Sequence, residues 1–413
     1  MSDHLLTINA GSSSLKFSLF SADTLDCRAV GLIEGLGTDP ELVIKDGNGE
    51  KIVTDHLEGD HFVADHAGAL RTVLDRISAH FPDASIIAVG HRVVHGGLSY
   101  AAPVQVDDET MQQLETLVPL APLHQPHNLA GIASAKDAFP GVPQVACFDT
   151  AFHRSHPFVN DAFALPRSLY EEGLRRYGFH GLSYEYVTGK LAEIAPFHAR
   201  GKVIVCHLGS GASMCAVRNG QSVASTMGFS ALDGLPMGTR PGQVDPGVLL
   251  YLMDQKGMDT KAISDLLYKE SGLKGLSGIS NDMRDLEASN DPRAKQAIDY
   301  FVFRVRREIG AMAAIMGGLD AVVFCGGIGE NSRLIRESVL EAMEWIGIEL
   351  DPSRNRENAE IISSDRSSVR AFIIRTNEEL LIARYTRQFL ASRPFHRHDL
   401  PAPEALPGLR HQA

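Results

Sequence analysis

A short apolar run that breaks at a glycine turn and resumes as a second apolar run constrains this chain more than any other feature. Residues 203–207 have the length and composition of a buried strand, Gly209-Ser210-Gly211 interrupts it, and residues 212–217 continue as a second strand. Asn219-Gly220 then supplies the dipeptide of a tight hairpin. With no side chains at 209 and 211, a bulky anion can approach the backbone, so the turn's N–H groups and the Ser210 and Ser213 hydroxyls can face phosphate oxygens. Beyond the hairpin, Met237-Gly238-Thr239-Arg240 puts an arginine in a glycine-flanked loop, where it is either aimed at a ligand or solvated. The N-terminus repeats the device. Residues 5–8 are apolar, residues 9–14 turn, and residues 15–20 run on as a strand, with Lys16 just after the serines. Overlaid, Asn9 matches His207 and Gly11-Ser12 matches Gly209-Ser210, about 200 residues away, as in a duplicated unit. Homologous halves would set two phosphate-holding turns facing each other across a cleft.

A chain of 413 residues exceeds what one core usually supports, so two domains are expected, with a boundary near residue 150. No window has the length of an apolar membrane span and no leader pattern opens the chain, so a cytoplasmic protein without a membrane partner is expected. The net charge of −12 argues against nucleic acid as a partner. Cys27, Cys147, Cys206, Cys215 and Cys325 show no paired spacing and read as buried thiols in a reducing compartment.

Along the chain, residues 30–55 read as short strands, and Leu70, Val73, Leu74, Ile77 and Phe81 recur at helical spacing. A strand over 86–89 opens into Gly90-His91-Arg92, which makes Arg92 either a structural ion-pair partner or a clamp for a carboxylate or phosphoryl group. Residues 107–118 read as a helix capped by Asp107-Asp108, and residues 122–128 as a loop. The strand over 142–148 delivers Asp149 to its carboxyl end, where open α/β sheets bind ligands; helix capping is its other duty. His180 stands between Phe179 and Gly181, with Ser183 expected to cap the helix that follows. Asp291-Pro292 opens a long helix with one apolar stripe, and a strand over 321–324 runs into the glycine turn of residues 326–332 at a helix start. No Walker motif occurs. Thr376 and Glu379 have capping-box spacing, which leaves Glu378 free to serve a metal. The proline-rich tail, residues 391–413, is expected to be disordered, and His396 with His398 is a minor metal candidate.

The segments Asn9-Ala10-Gly11-Ser12-Ser13-Ser14-Leu15-Lys16, His91-Arg92-Val93-Val94-His95-Gly96-Gly97, Gly178-Phe179-His180-Gly181, Met237-Gly238-Thr239-Arg240 and residues 326–332 are each weakly specific. Their joint order, over nearly the whole chain to about residue 390, resembles the acetate kinase (acetokinase) family. The resemblance implies an α/β fold of two ribonuclease-H-like domains, as in sugar kinases, Hsc70 and actin. These would span residues 1–150 and 151–375, with a helix near 376–390 packing back on the first. It further implies a homodimer through the C-terminal domain, and reversible transfer between ATP and acetate to give ADP and acetyl phosphate, with Mg²⁺ or Mn²⁺.

By position, the resemblance assigns Asn9 and Glu378 to the metal. It assigns Ser12, Ser14, Lys16, His207, Leu208, Gly209, Ser210, Gly211, Asp282, Met283, Arg284, Gly327, Ile328, Gly329, Glu330 and Asn331 to the nucleotide. Arg92 would bind the acetate carboxylate, and Val94, Leu123 and Phe179 would line the methyl pocket. Asp149 would be the essential acid, while His180 and Arg240 would stabilise the transition state.

A carboxylate acceptor is already ionised at neutral pH and needs no general base. The difficulty is anion meeting anion, about 4 kcal/mol at 4 Å and an effective dielectric near 20, which cations must offset. Asp149 is therefore expected to orient Mg²⁺ or an arginine and not to remove a proton. Two residues depart from the family pattern: Ser210 stands for an asparagine, and Ala231 for a proline of the acyl pocket. The second widens the pocket and keeps propionate open as the substrate. An actin-like or chaperone-type ATPase of the same fold is the more distant alternative.

Overall fold

The structure, a computed structural model, describes residues 2–392. The chain divides into two compact units, one running to Asp149 and resuming at Glu378, the other spanning Thr150–Asn377.

The first unit holds strands β1 (Ser2–Ala10), β2 (Ser14–Ser21), β3 (Cys27–Glu34), β4 (Glu41–Asp46), β5 (Lys51–His56), β6 (Ala84–Val93), β7 (Val104–Gln105) and β8 (Gln144–Phe148). They form one sheet in the order β5-β4-β3-β2-β1-β6-β8-β7. Strands β1 to β5 pair antiparallel, while β6 lies parallel to β1 and β8 parallel to β6. Alternation along β1 decides what covers each face. Leu6 and Ile8 join the cluster under the helix His66–His80, and Leu5 joins Phe20, Ala88 and Ala383 under the helix Glu378–Ser392. Gly90 lets that last helix approach, because a Cβ there would sit 2.4 Å from Thr386 Oγ1.

The second unit repeats the plan with β9 (Lys202–Leu208), β10 (Ala212–Arg218), β11 (Gln221–Ser225), β12 (Ala321–Cys325) and β13 (Arg370–Ile373), in the order β11-β10-β9-β12-β13. An antiparallel meander followed by two parallel strands is also the order β3-β2-β1-β6-β8, so the duplication is a duplication of topology. Tyr184, Val187 and Leu191 of the helix Gly181–Ile194 pack on Val203, Val205, Cys215 and Val323. The helix Pro292–Met316 buries the expected stripe of Ile298, Val302, Val305, Ile309, Met312 and Met316. Asn219 and Gly220 both take positive φ in the β10–β11 turn, as a tight hairpin with right-handed strands demands.

Several local expectations are corrected. Strand β6 continues through Gly90 and Arg92 to Val93, because the glycine serves helix contact and not a turn. The helix capped by Asp107 ends at Glu115, and Gln125 already opens the next helix, with Pro126 in its first turn. The glycine segment after β12 is itself a short helix, Gly326–Asn331. His180, not Ser183, occupies the N-cap of Gly181–Ile194. The last helix runs through Ser392, two residues into the stretch expected to be disordered; the remainder of the tail, with His396 and His398, lies outside the described residues. Among the described residues no helix is long and apolar enough to cross a membrane, and no disulfide joins the five cysteines, of which Cys27 is only half-buried.

Candidate active site

In the first unit, three neighbouring strands bring Asn9, Arg92 and Asp149 together at their carboxyl ends, on β1, on β6 and immediately after β8. Asp149 N–H donates to Val93 O at 3.0 Å, which prolongs the ladder and fixes the side chain beside Arg92. The guanidinium forks onto the carboxylate, Nε to Oδ1 at 3.0 Å and Nη2 to Oδ2 at 2.6 Å. Arg92 Nη1 reaches Asn9 Oδ1 at 3.5 Å, and Glu378 Oε2 lies 3.6 Å from Nε. The side chains of Asp149, Glu378 and Arg92 retain 2%, 17% and 22% of their exposure. Burial pulls the Arg92 pKa down, but Asp149 and Glu378 outweigh it and hold it above its ordinary value. Burial pushes Glu378 up to about 7, against the pull of Arg92. Glu378 is therefore a member of this cluster. Asp149 caps no helix.

Asn128, a residue the sequence reading passed over, ties this site together. Its Oδ1 accepts from Val94 N at 2.9 Å and its Nδ2 donates to Ala10 O at 2.8 Å, joining the ends of β6 and β1. Val94 is buried and Leu123 is exposed, so the two apolar candidates of this unit differ in environment. Lys16 is exposed on β2, paired across the ladder with Asn9, and Ser12 and Ser14 lie in the turn closed by Gly11 N to Ser14 O at 2.9 Å.

In the second unit, the equivalent turn closes more tightly, Gly209 N to Gly211 O at 3.1 Å, between Leu208 and Ala212. His207 and Ser213 face each other across it. His180 sits over that pair, its ring stacked on His207 with centroids 4.3 Å apart and its Nδ1 2.8 Å from Ser213 Oγ. Its φ of 58° is left-handed, which costs a non-glycine residue about 1–2 kcal/mol. Phe179 is buried; its carbonyl accepts from His153 Nε2 at 3.0 Å, which pins the residue before the strained one. Gly178, with φ of 75°, leaves room for that imidazole.

Arg240 arrives from a clamped loop. Leu273 N donates to Met237 O at 2.9 Å, Lys274 N to Gly238 O at 2.9 Å and Ser271 N to Thr239 O at 3.0 Å, and Gly238 N donates to Ser210 O at 3.0 Å. Arg240 Nη1 donates to Ala231 O at 2.9 Å, and no carboxylate pairs with it among the described residues. Burial lowers its pKa, with Tyr268 offsetting part of the shift. A Cβ on Gly211 would stand 3.0 Å from Arg240 Nη2 and 3.5 Å from His180 Nε2, so bare backbone there lets both groups converge on one point.

The nucleotide candidates divide. Gly327 N lies 3.8 Å from the place of a Gly209 Cβ, so the two glycine segments abut, and nothing stands within 4 Å of a Cβ on Gly327. Ile328 and Gly329 continue that short helix, and Asn331 Nδ2 is turned back to Gly327 O at 2.8 Å. Glu330 is structural in its contacts, accepting from Gly326 N at 2.9 Å and Thr376 N at 3.1 Å. Asp282 caps the helix Met283–Ala288, Met283 is buried, and the exposed Arg284 folds back on Asp282. Arg336 was missed. It is fully buried, its pKa lowered by burial to about 10, and its Nη1 holds Gly329 O at 2.9 Å. No local pattern marks such a residue, because its partners Asn355 and Asn358 lie about twenty residues on.

Residues 4–384 match the acetokinase family. The chain belongs to that family. An acetate kinase of Methylocella silvestris is 60% identical over 402 residues, covering 94% of this chain and 98% of that relative. Among solved structures, a propionate kinase from Francisella tularensis superposes with a TM-score of 0.88 at 36% identity, and the acetate kinase of Porphyromonas gingivalis with 0.85 at 37%. Each covers 94% of this chain and 100% of its own. Acetokinase membership implies, in general terms, the use of ATP and a divalent metal.

Proposed function

We propose that this chain is an acetate kinase, transferring the γ-phosphoryl group of ATP reversibly and in line to the carboxylate of acetate, with Mg²⁺, to give acetyl phosphate and ADP. The observation that carries the reading is Arg240: a recessed guanidinium with no carboxylate partner among the described residues, held by a clamped loop over the bare backbone of Gly211 beside His180. Such a cation is matched to a group that brings its own negative charge. The glycine turn at 209–211 and the segment from Gly327 offer backbone to the nucleotide. Arg240 and His180 donate to the phosphoryl oxygens as charge builds on them.

In the first unit, Asn9 and Glu378 fit a hard divalent cation, since both offer oxygen and burial raises the Glu378 carboxyl, which a bound cation would return to its charged form. When bound, Mg²⁺ would screen the phosphate charge. Asp149 orients Arg92 through its fork, and Arg92 holds the acid. No general base is required, because the acceptor is already an anion at neutral pH.

Propionate is the second reading, favoured by the propionate kinase among the structural neighbours and by Ala231, whose carbonyl holds Arg240 while its side chain is only a methyl. A hydroxamate assay with acetate, propionate and butyrate tests both. Acetate is expected to give the highest kcat/KM; product from none of the three would overturn the function, and a preference for propionate would replace the first reading by the second.

The helix Pro246–Lys256 buries none of its residues, and Leu250 and Tyr251 are 66% and 54% exposed, beside Val248 and Met253. A second copy of this chain is the occupant proposed for this face, giving a homodimer through the second unit. Sedimentation should show a dimer that Leu250→Glu converts to monomer; a monomeric wild type would refute it.

A further inference from the structure

Beside His180 stand two hydroxyls that the reaction above does not use. His180 Nδ1 lies 2.8 Å from Ser213 Oγ, and the phenol of Tyr184 makes a short hydrogen bond to the same Oγ. Ser213 and Tyr184 are both fully buried. Tyr184 lies one turn into the helix that His180 caps, and Ser213 lies on β10 opposite His207, so neither can be placed by its neighbours in sequence.

The protons can be counted. Burial pushes the Tyr184 phenol well above its ordinary pKa, so it keeps its proton, and among the described residues Ser213 Oγ is the acceptor within its reach. A buried O–H left without an acceptor costs about 1–3 kcal/mol. Tyr184 therefore donates to Ser213, Ser213 turns its own proton toward the imidazole, and Nδ1 accepts. A neutral imidazole that accepts at one nitrogen carries its proton on the other.

We propose that Tyr184 and Ser213 are positioning residues that hold His180 in its Nε2–H tautomer, so that it presents a neutral N–H donor, and not a base, to the transferred phosphoryl group. This rests on the reading that His180 faces that group. The stack on His207 sets the plane of the ring, and the hydroxyl pair sets which nitrogen bears the proton. Nε2 lies 3.5 Å from the point where a Gly211 Cβ would stand, and Arg240 Nη2 lies 3.0 Å from that same point. The N–H thus emerges next to the Arg240 guanidinium, where an added positive charge on the ring would be opposed.

Selective ¹⁵N labelling of histidine, with His180→Gln to assign the signal, tests the tautomer directly. The wild-type ring should show a protonated Nε2 and an unprotonated Nδ1, and Tyr184→Phe, which keeps the ring volume, should mix the two tautomers. Tyr184→Phe should also lower kcat about tenfold, the equivalent of one hydrogen bond, with KM values nearly unchanged. In the His180→Gln background the same change should have almost no effect, since a residue acting through His180 then has nothing to act on. Ser213→Ala is the second variant, with the same dependence expected. A wild-type Nδ1–H tautomer, or equal losses in both backgrounds, overturns the proposal. Absence of kinase activity in the wild type would instead overturn the function, because the spectrum reports the tautomer without turnover.

Discussion

Arg92 lies between Asp149 and Glu378, whereas Arg240 has no carboxylate partner among the described residues and leans on a backbone carbonyl. The same side chain therefore does opposite work in the two units. Around Arg92 two carboxyl groups face one cation, and burial, with a smaller push from Asp149, raises Glu378 to about 7. That cluster asks for a further cation. Around Arg240 the surplus is positive and asks for an anion. An arginine at a strand end or in a glycine loop looks alike in sequence, and only its neighbours decide whether it organises carboxylates or meets phosphate.

The sharpest break of this comparison is Arg240→Met. Because the arginine is desolvated without a counter-charge, its loss should lower kcat by about a thousandfold or more while leaving the denaturation midpoint unchanged or raised. A clear drop in stability would show that Arg240 is structural. Arg92→Met should behave otherwise, costing about 3–5 kcal/mol of stability together with activity, since it strands Asp149 and Glu378. Adding Asp149→Asn should restore part of that stability in urea titrations; no recovery would mean the pair is not the cause.

Acid should probe the units next. Burial holds His91 of the first unit at about 4, and His153 and His156 of the second at about 4 and 3, with Arg154 among the lesser causes in the second. Their folded pKa values lie below the unfolded one, so the unfolded chain takes up protons first. Stability is then intact above pH 6.5 and falls as pH drops toward 4, by about 3 kcal/mol per imidazole at most. His156→Gln should flatten the slope of stability against pH between 6.5 and 4; an unchanged slope would contradict it. The smallest effect is expected at the turn itself. Ser210→Asn should lower the KM for ATP severalfold, about 1 kcal/mol, and leave the KM for acetate alone.

Much of the scaffold was legible. Short apolar runs broken by glycine turns placed β1, β2, β9 and β10, and Asn219-Gly220 placed the second hairpin, because run length and turn chemistry are local. Gly90 misled, since it reads as a turn and serves the approach of a helix nearly 300 residues away in sequence. Ser183 read as a cap because serine favours that place, yet His180 holds it at a left-handed φ that no propensity foresees.

By itself the sequence determined the strand–turn–strand units and the residue types that reach the sites, all of them matters of neighbours within a few positions. Tertiary structure alone decided the charge balance. Asp149 comes to Arg92 across a strand pair, Glu378 from the far end of the chain, and no carboxylate comes to Arg240 among the described residues. Coulomb energy depends on distance through space and on burial, and a linear string carries neither.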